Sequence, residues 1–402
     1  MADDAPAIAG LAHAGVSTPA PAHVLVVDDN AMNRDVLSRR LQRNGHTVEA
    51  VEGGKQALAS LESGKFDLVM LDIMMPDMDG YQVLTQLRLD PALSHLPVLM
   101  ISAVGDTDSV VRCLSLGADD YLNKPFDPLI LRARVDAALL KKRLHDEEQR
   151  YTRSMERELE IGRAIQAGFL PESLPQPAGW EIAARFLPAR QVAGDFYDTF
   201  EIPGTGIAVL VADICDKGVG AALYMALFRS LLRASASGEH ARGSDSASIL
   251  KAAVGQTNNY IARVHERAHM FATVFFGILD PANGRLDYVN AGHESAMIVG
   301  AGQLRQKLGP TAPAIGLMPD CRIEVASTTL DAGDVLFAYT DGVVDATDTS
   351  TTFGEARLIE LITRAHASAD ALLGSLASAL EAHTTGIAPF DDITMLAVRR
   401  SG

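Results

Sequence analysis

Acidic residues that could bind a divalent cation follow apolar runs in the first third of the chain. Asp28 and Asp29 come directly after one run, and Asp72 ends another. Ser102 and Lys124 end two further runs. If the ends of these runs meet in one crevice, the three carboxylates repel one another and need a hard cation such as Mg²⁺. A hydroxyl and an ammonium group beside them would suit a phosphoryl group carried on one aspartate.

A second set of acidic residues lies in the C-terminal half, at the ends of further apolar runs. It comprises Asp195, Asp198, Asp213, Asp341, Asp391 and Asp392. Ligand sets made only of oxygen select Mg²⁺ or Mn²⁺ over Zn²⁺. Two such ions can lower the pKa of a bridging water and bind a phosphoryl oxygen for in-line hydrolysis without a covalent intermediate. One Asp-Gly pair is usually a plain β-turn, but several sets that follow predicted strands favour a metal site.

The elements that must position these residues differ between the two halves. Residues 23–137 alternate five short apolar runs with amphipathic ones, which predicts an α/β doubly wound parallel five-stranded sheet with ligands at the carboxyl ends of its strands. Residues 179–402 contain hairpin-linked strands, which predict an α+β antiparallel β-sandwich flanked by helices. We predict these helices over Gly220–Ala236, Ser246–His265 and Glu355–His383.

The stretch from Pro128 to Pro171 predicts one long helix, because it has no internal proline and many strong helix formers. Its middle, within a linker over residues 138–178, is mostly charged. Apolar residues recur there at imperfect heptad spacing, namely Leu144, Tyr151, Met155, Ile165 and Phe169. We expect a parallel two-stranded coiled coil in a homodimer. A solvated single helix is the alternative.

Composition limits the class of protein. The chain has 402 residues and a net charge of −16, which argues against nucleic acid as the main partner. Its three cysteines lie far apart and form neither a metal motif nor a disulfide framework, so the expected compartment is the reducing cytoplasm. Residues 1–22 are rich in Ala and Pro, predicting a disordered tail. No run of 18 apolar residues predicts a membrane span.

The first half closely resembles the response-regulator receiver domain through VLVVDDN, LDIMMPDMDG, ISA and YLNKPF. This resemblance implies that Asp72 accepts phosphate from a sensor histidine kinase or phosphotransfer protein. It also implies further roles: Mg²⁺ binding by Asp28, Asp29, Asp72 and the carbonyl of Met74, phosphoryl contacts by Ser102 and Lys124, and an aromatic switch at Tyr121.

The second half resembles the SpoIIE and RsbU branch of the PPM-class serine/threonine phosphatases, through GRAIQAGFLP, VAGDFYD, VADICDKGVGAAL, AYTDGVVDA and FDDITMLAV. The resemblance implies two Mn²⁺ or Mg²⁺ ions bridged by Asp213 and the carbonyl of Ile214. Asp195, Asp341 and Asp391 would complete the ligand set. Asp392 could replace Asp391, and Asp198 is a weaker outer candidate.

Some positions near the implied metal site depart from the family pattern. Eukaryotic relatives carry an acid histidine just after the bridging aspartate, whereas this chain has Cys215, Asp216 and Lys217 there. Protonation of the leaving group is therefore unassigned. His293 could supply the proton, although a structural role in its glycine turn is the alternative. Cys215 is expected to be a packing residue rather than a nucleophile.

Together these features predict a cytoplasmic response regulator whose output is a metal-dependent protein serine/threonine phosphatase, gated by phosphorylation of Asp72. Resemblance alone suggests a phosphorylated anti-sigma-factor antagonist as its substrate. The alternative is a phosphorylation-gated adaptor with an inactive phosphatase-like domain that binds a sigma factor or an anti-sigma pathway protein. The intact set of aspartates favours the enzyme.

Overall fold

The computed structural model describes residues 20–103, 107–348, 350–384 and 391–401. The tail predicted over residues 1–22 lies, as far as residue 19, outside this part of the chain. The chain divides into two compact units, residues 1–154 and residues 155–402. The division falls inside the linker predicted over residues 138–178.

The first unit is built on a parallel sheet in which five strands have the order β2-β1-β3-β4-β5. Its strands are β1 (His23–Val27), β2 (Thr47–Val51), β3 (Leu68–Asp72), β4 (Val98–Ala103) and β5 (Asp120–Lys124). Its helices are α1 (Ala31–Arg43), α2 (Gly54–Ser63), α3 (Gly80–Leu89), α4 (Thr107–Ser115) and the start of α5 (Pro128–Ala167). The predicted doubly wound sheet is confirmed.

Helices cover both faces of this sheet because its strands are apolar on both sides. In β1, Leu25 and Val27 pack in the core that contains residues of α2 and α3, whereas Val24 and Val26 pack in the core of α1 and α5. Burial on both faces is the usual reason that strands of parallel sheets read as continuous apolar runs.

The long helix α5 extends over 40 residues, as predicted, and ends at Ala167 rather than Pro171. The side chain of Asp127 accepts hydrogen bonds from the N–H groups of Leu129 and Ile130, and Pro128 occupies the first helical position.

The second unit contains two antiparallel five-stranded sheets, with strand orders β13-β10-β9-β8-β7 and β12-β11-β14-β15-β6. The strands are β6 (Trp180–Leu187), β7 (Phe196–Ile202), β8 (Gly206–Ile214), β9 (Ala272–Leu279), β10 (Arg285–Ala291), β11 (Ala296–Gly300), β12 (Gln303–Leu308), β13 (Ala326–Thr329), β14 (Val335–Tyr339) and β15 (Ile393–Arg400). The helices are α6 (Val219–Ala241), α7 (Ser246–Val264), α8 (Glu355–Ile362) and α9 (Ala369–Thr384).

These elements form a sandwich of two sheets with helices on its outer faces, as predicted. Alternate residues of β8 show the layering: Val209 and Val211 pack between the sheets, while Leu210 and Ala212 pack in the core of α6 and α7. The outer face of the second sheet is covered by α8 and α9. In the first turns of α6, Ala221 and Met225 belong to this core, whereas Val219 and Leu223 are exposed.

The third predicted helix of this unit, over Glu355–His383, is wrong as a single element. It is two helices, because α8 ends at Ile362 and α9 begins at Ala369. The hydroxyl of Thr363 donates to the Ile359 carbonyl at the end of α8. Ser368 Oγ accepts from the N–H of Ala371 and so caps the start of α9.

Candidate metal centres

The receiver carboxylates meet at one edge of the parallel sheet. β1 and β3 are neighbours, so their carboxyl ends place Asp28 and Asp29 beside Asp72. One oxygen of each of these three side chains lies within 4.8 Å of the others. This is the cluster predicted from the sequence, and its all-oxygen donor set fits Mg²⁺.

Lys124 neutralises part of this negative charge. Its Nζ lies 2.7 Å from Asp72 Oδ2 and 3.0 Å from Asp28 Oδ2. Burial raises the pKa of Asp72 and the charge of Asp28 raises it further, whereas the hydrogen bond from Lys124 opposes both. The ammonium group therefore already occupies the position from which it could contact a group attached to Asp72.

Two further predicted residues, Ser102 and Tyr121, lie on the neighbouring strands β4 and β5. Ser102, in β4, donates a hydrogen bond of 2.9 Å to Asn123 Oδ1, beside Lys124. Tyr121 is half-buried, and the guanidinium of Arg134 lies 5.1 Å from its ring centroid.

Asn33 was missed by the sequence analysis. Its Nδ2 donates to both carboxylate oxygens of Asp28 at 3.2 Å. Its position one helical turn after Asp29 was the available signal, because the first turn of α1 follows the site directly.

In the second unit, antiparallel pairing brings Asp195, Asp213, Asp341 and Asp391 to one edge, although no three of these carboxylates, all within the described residues, have oxygens within 4.8 Å of one another. Phe196 of β7 is paired with Ala212 of β8, so Asp195, just before β7, stands opposite Asp213. In the other sheet β14 pairs with β15, which places Asp341 after one strand near Asp391 before the next. The expectation that every set follows a strand is thus wrong, because an antiparallel edge joins the end of one strand to the start of its partner.

A hydrogen bond joins the two sheets at this edge. Thr394 Oγ1, on β15, donates to Asp195 Oδ2 at 2.9 Å. The backbone N–H of Thr394 in turn donates to Thr340 Oγ1 at 2.9 Å. The sequence analysis missed both threonines, although Thr394 is two residues from Asp392 and hence has the same strand orientation.

These carboxylates are poorly compensated. Burial raises the pKa of Asp195 well above its usual value, and the charge of Asp213 raises it further. Burial, followed by the charge of Asp341, raises the pKa of Asp213 from 3.8 to about 7. Burial and Asp391 raise the pKa of Asp341. Divalent cations would relieve this repulsion, so the donor set fits Mn²⁺ or Mg²⁺.

The adjacent residues Asp391 and Asp392 have different environments. Both oxygens of Asp392 accept backbone hydrogen bonds, from Ala189 N at 2.8 Å and from Gly194 N at 2.9 Å. Asp391 instead faces Lys217, whose Nζ lies 2.8 Å from its Oδ2. Through these hydrogen bonds, Asp392 fixes the position of the loop that leads to Asp195.

Asp198 points away from the cluster. It lies on the face of β7 that also carries Phe196 and Phe200, towards α6. Its carboxylate accepts hydrogen bonds from Arg233 and lies 3.2 Å from Arg229 Nη2. Two arginines neutralise this group, so the structure gives no support to Asp198 as an outer metal residue.

His293 and Cys215 make structural contacts. His293 is buried, its Nδ1 lies 2.8 Å from Thr273 Oγ1, and burial lowers its pKa to about 4. A neutral buried ring fits the turn role and not the proposed proton donor. Cys215 Sγ accepts a hydrogen bond from the N–H of Phe271, which agrees with a packing role.

Comparison with known proteins assigns both units. The family model of the response regulator receiver domain matches residues 24–136, and that of stage II sporulation protein E (SpoIIE) matches residues 203–401. The chain belongs to the response regulators with a SpoIIE-type PPM phosphatase domain.

Several relatives match parts of this response regulator. Protein IcfG of Synechocystis sp. is 44% identical over 264 residues, covering 61% of this chain and 42% of that protein. The alkaline phosphatase synthesis transcriptional regulatory protein PhoP of Bacillus subtilis is 41% identical over 116 residues, covering 29% of this chain and 48% of that protein. The chain therefore spans less than half the length of these two curated relatives.

A solved structure shows the fold of the second unit. The SiaA-PP2C domain of Pseudomonas aeruginosa superposes with a TM-score of 0.52 at 21% identity, covering 62% of this response regulator and 97% of that domain. Among the described residues, no helix has both the length and the apolar character needed to cross a membrane.

Proposed function

We propose that this response regulator is a Mn²⁺- or Mg²⁺-dependent phosphatase acting on phosphoserine or phosphothreonine in proteins, gated by phosphorylation of Asp72. One observation carries the proposal. Aspartates from two separate sheets converge at one edge, and three of them have pKa values raised by burial and mutual repulsion. Such an arrangement costs stability unless cations bind there.

The proposed ligands of the metal pair are Asp195, Asp213, the carbonyl of Ile214, Asp341 and Asp391. Both oxygens of Asp392 already accept backbone hydrogen bonds, which favours Asp391 as the ligand. We therefore propose that Asp392 positions the loop before β7 and is not a metal ligand.

When bound, the two ions would supply a water of lowered pKa and positive charge for the phosphoryl oxygens. The chain's own residues prepare the site. Thr394 orients Asp195 through its hydroxyl, and Lys217 places a positive charge beside Asp391. Burial lowers the pKa of His293 to about 4, which does not favour this ring as the proton donor.

In the receiver, we propose that Asp72 accepts phosphate from a histidine kinase or phosphotransfer protein. The proximity of Lys124 to both Asp72 and Asp28 supports this role. The remaining proposed roles are Mg²⁺ binding by Asp28, Asp29, Asp72 and the Met74 carbonyl, phosphoryl contacts by Ser102 and Lys124, and switching by Tyr121.

We further propose that α5 forms a parallel coiled coil in a homodimer and transmits the state of the receiver. Three of the apolar residues at heptad spacing, Leu144, Tyr151 and Ile165, are exposed, with 59 to 68% of their surface accessible to solvent. Burying them against a second copy would remove this apolar surface from water. A monomer at all concentrations in light scattering, with and without beryllofluoride, would contradict this arrangement.

The deciding experiment is hydrolysis of an aryl phosphate by the full chain with Mn²⁺, with and without beryllofluoride on Asp72. We expect hydrolysis that requires Mn²⁺ and changes with beryllofluoride, and Asp213→Asn should abolish it while the fold is retained. No hydrolysis in either state, with Mn²⁺ bound and the fold intact, would instead favour the adaptor that binds a sigma factor or an anti-sigma pathway protein.

We propose a phosphorylated anti-sigma-factor antagonist as the substrate, supported by the SpoIIE-type match alone. Loss of phosphate from such a protein, detected as a mobility shift in phosphate-affinity gels, would support the assignment. Equal rates on an unrelated phosphoserine protein would contradict it.

A further inference from the structure

The last turn of α5 is bonded to the loop before β7 through a reciprocal pair of hydrogen bonds. Gln166 Nε2 donates to the Ala193 carbonyl at 2.6 Å, and the Ala193 N–H donates to Gln166 Oε1 at 3.0 Å. Both residues are buried. The side-chain amide thus satisfies both backbone groups of Ala193, which would otherwise be buried without partners.

The residues that follow Ala193 reach the candidate metal ligands. The Gly194 N–H donates to Asp392 Oδ2, and Asp195 comes next in the chain. Gly194 also packs against the Ile214 carbonyl, since a Cβ atom at Gly194 would lie 3.0 Å from that oxygen. A shift of the Ala193 peptide would therefore move Asp195 and change the contacts of Gly194 with Asp392 and with the Ile214 carbonyl.

Side chains hold this loop in place. Within the described chain, residues 189–194 make no backbone–backbone hydrogen bond. Their N–H groups at Ala189, Ala193 and Gly194 donate instead to Asp392 and Gln166. Of these two side chains, Asp392 belongs to the metal edge itself, and Gln166 is the one that comes from a helix.

We propose that Gln166 is a positioning residue of the phosphatase metal centre, acting through the Ala193–Gly194 backbone on Asp195 and the Ile214 carbonyl. The inference rests on the proposed function, because it requires metal at this edge. Gln166 is the penultimate residue of α5, so a displacement of the last turn of that helix changes this contact directly.

The chain provides a matched control. Gln176 makes the same reciprocal pair with Ile182, through Nε2 to the carbonyl at 2.7 Å and from the N–H to Oε1 at 3.1 Å. Ile182 is paired with Val398, four residues along β15 from Thr394. Loss of this pair removes the same two kinds of hydrogen bond at a place away from the aspartates, from an exposed side chain where Gln166 is buried.

The test compares Gln166→Met, Gln166→Glu and Gln176→Met in the full chain. Manganese affinity is measured by electron paramagnetic resonance without substrate, in chains that all carry Asp28→Asn so that the receiver site does not contribute, and folding by circular dichroism in chelator. We expect Gln166→Met to raise the Kd for Mn²⁺ about tenfold, at the lower end of the effect of residues that orient metal ligands. Gln166→Glu keeps the acceptor for Ala193 N but sets a carboxylate oxygen against the Ala193 carbonyl, so the Kd for Mn²⁺ should rise here too. Gln176→Met should bind Mn²⁺ as the wild type does.

Four results would count against the positioning role or the proposed function. Wild-type affinity in a folded Gln166→Met protein would remove the positioning role while leaving the proposed function intact. An equal loss in Gln176→Met would show general destabilisation instead of positioning. Failure of the wild-type chain itself to bind Mn²⁺ would overturn the proposed function. If Gln166→Met does not fold, Gln166→Glu decides, and wild-type affinity there would count against the proposal.

Discussion

Replacing Asp198 by asparagine should destabilise the phosphatase unit without weakening its metal binding. Asp198 is 1% exposed and accepts hydrogen bonds from Arg233 Nη1 at 2.9 and 3.0 Å. Its Oδ2 also lies 3.2 Å from Arg229 Nη2. Asparagine preserves the volume of the side chain but removes the charge that compensates the two arginines.

The size of the effect follows from the exposure of each arginine. Arg229 has a side chain only 13% exposed, so it would remain as a nearly buried, uncompensated cation, at about 3–5 kcal/mol. The side chain of Arg233 is 42% exposed, can regain water and stays over the Phe200 ring. Loss of its ion pair with Asp198 therefore adds little to the fall in the free energy of unfolding. At roughly 2–4 °C per kcal/mol for a unit of this size, Tm should fall on the order of 10 °C.

The assay is thermal unfolding of the full chain in chelator, followed by circular dichroism, together with calorimetric titration of Mn²⁺ at a temperature where the variant is folded. Asp195→Asn, three residues away, provides the contrast. It should abolish Mn²⁺ binding at the pair yet leave the metal-free chain at least as stable, because it removes a buried, repelled carboxylate. Unchanged unfolding with lost Mn²⁺ binding in Asp198→Asn would refute the assignment of Asp198 to the arginines of α6.

Three further predictions concern the two acidic centres. In chelator, the contribution of Asp213 to folding stability should be lost as pH rises from about 4 to about 7, opposite in sign to the contribution of His293, whose pKa burial lowers to about 4. The reason is that burial and the charge of Asp341 raise the pKa of Asp213 from 3.8 to about 7, so the folded state binds a proton that the unfolded state has released. This amounts to about 4 kcal/mol at most, and urea unfolding of Asp213→Asn across that range should lose this part of the pH dependence. Asp72→Asn should abolish the response of aryl phosphate hydrolysis to beryllofluoride while Mn²⁺-dependent hydrolysis continues; a retained response would place the switch elsewhere. Gly342→Ala should reduce both stability, by about 1–3 kcal/mol, and Mn²⁺ affinity, since its Cβ would lie 2.0 Å from the Asp392 carbonyl oxygen, as urea unfolding and Mn²⁺ titration would show.

The receiver cluster could be predicted residue by residue, because a parallel sheet leaves little choice. All its strands end at the same edge, so residues after β1 and at the end of β3 must meet there. Asp28, Asp29, Asp72 and Lys124 accordingly lie together. The contact from Asn33 escaped prediction, since helical spacing does not show which neighbouring side chain turns towards the site.

In the phosphatase unit, the residue types could be predicted but their arrangement could not. In an antiparallel pair, the end of one strand lies beside the start of its partner. Asp195 therefore reaches the edge as the residue before β7, and Asp213 reaches it near the end of β8. The one-helix prediction over Glu355–His383 failed for a similar local reason: two capping hydroxyls, at Thr363 and Ser368, divide a continuous apolar pattern.

The sequence by itself determined the two fold classes, the long helix and the identity of the acidic residues, because periodicity and side-chain chemistry are local properties. Only the tertiary structure distinguished the environments of aspartates that are adjacent or nearly adjacent in the sequence. Asp392 binds the loop before β7, whereas Asp391 contacts Lys217. Asp195 precedes β7 and contacts Thr394, whereas Asp198 lies on the face of β7 that packs towards α6. Register and the packing of one sheet against another bring distant residues together, and no local pattern contains that information.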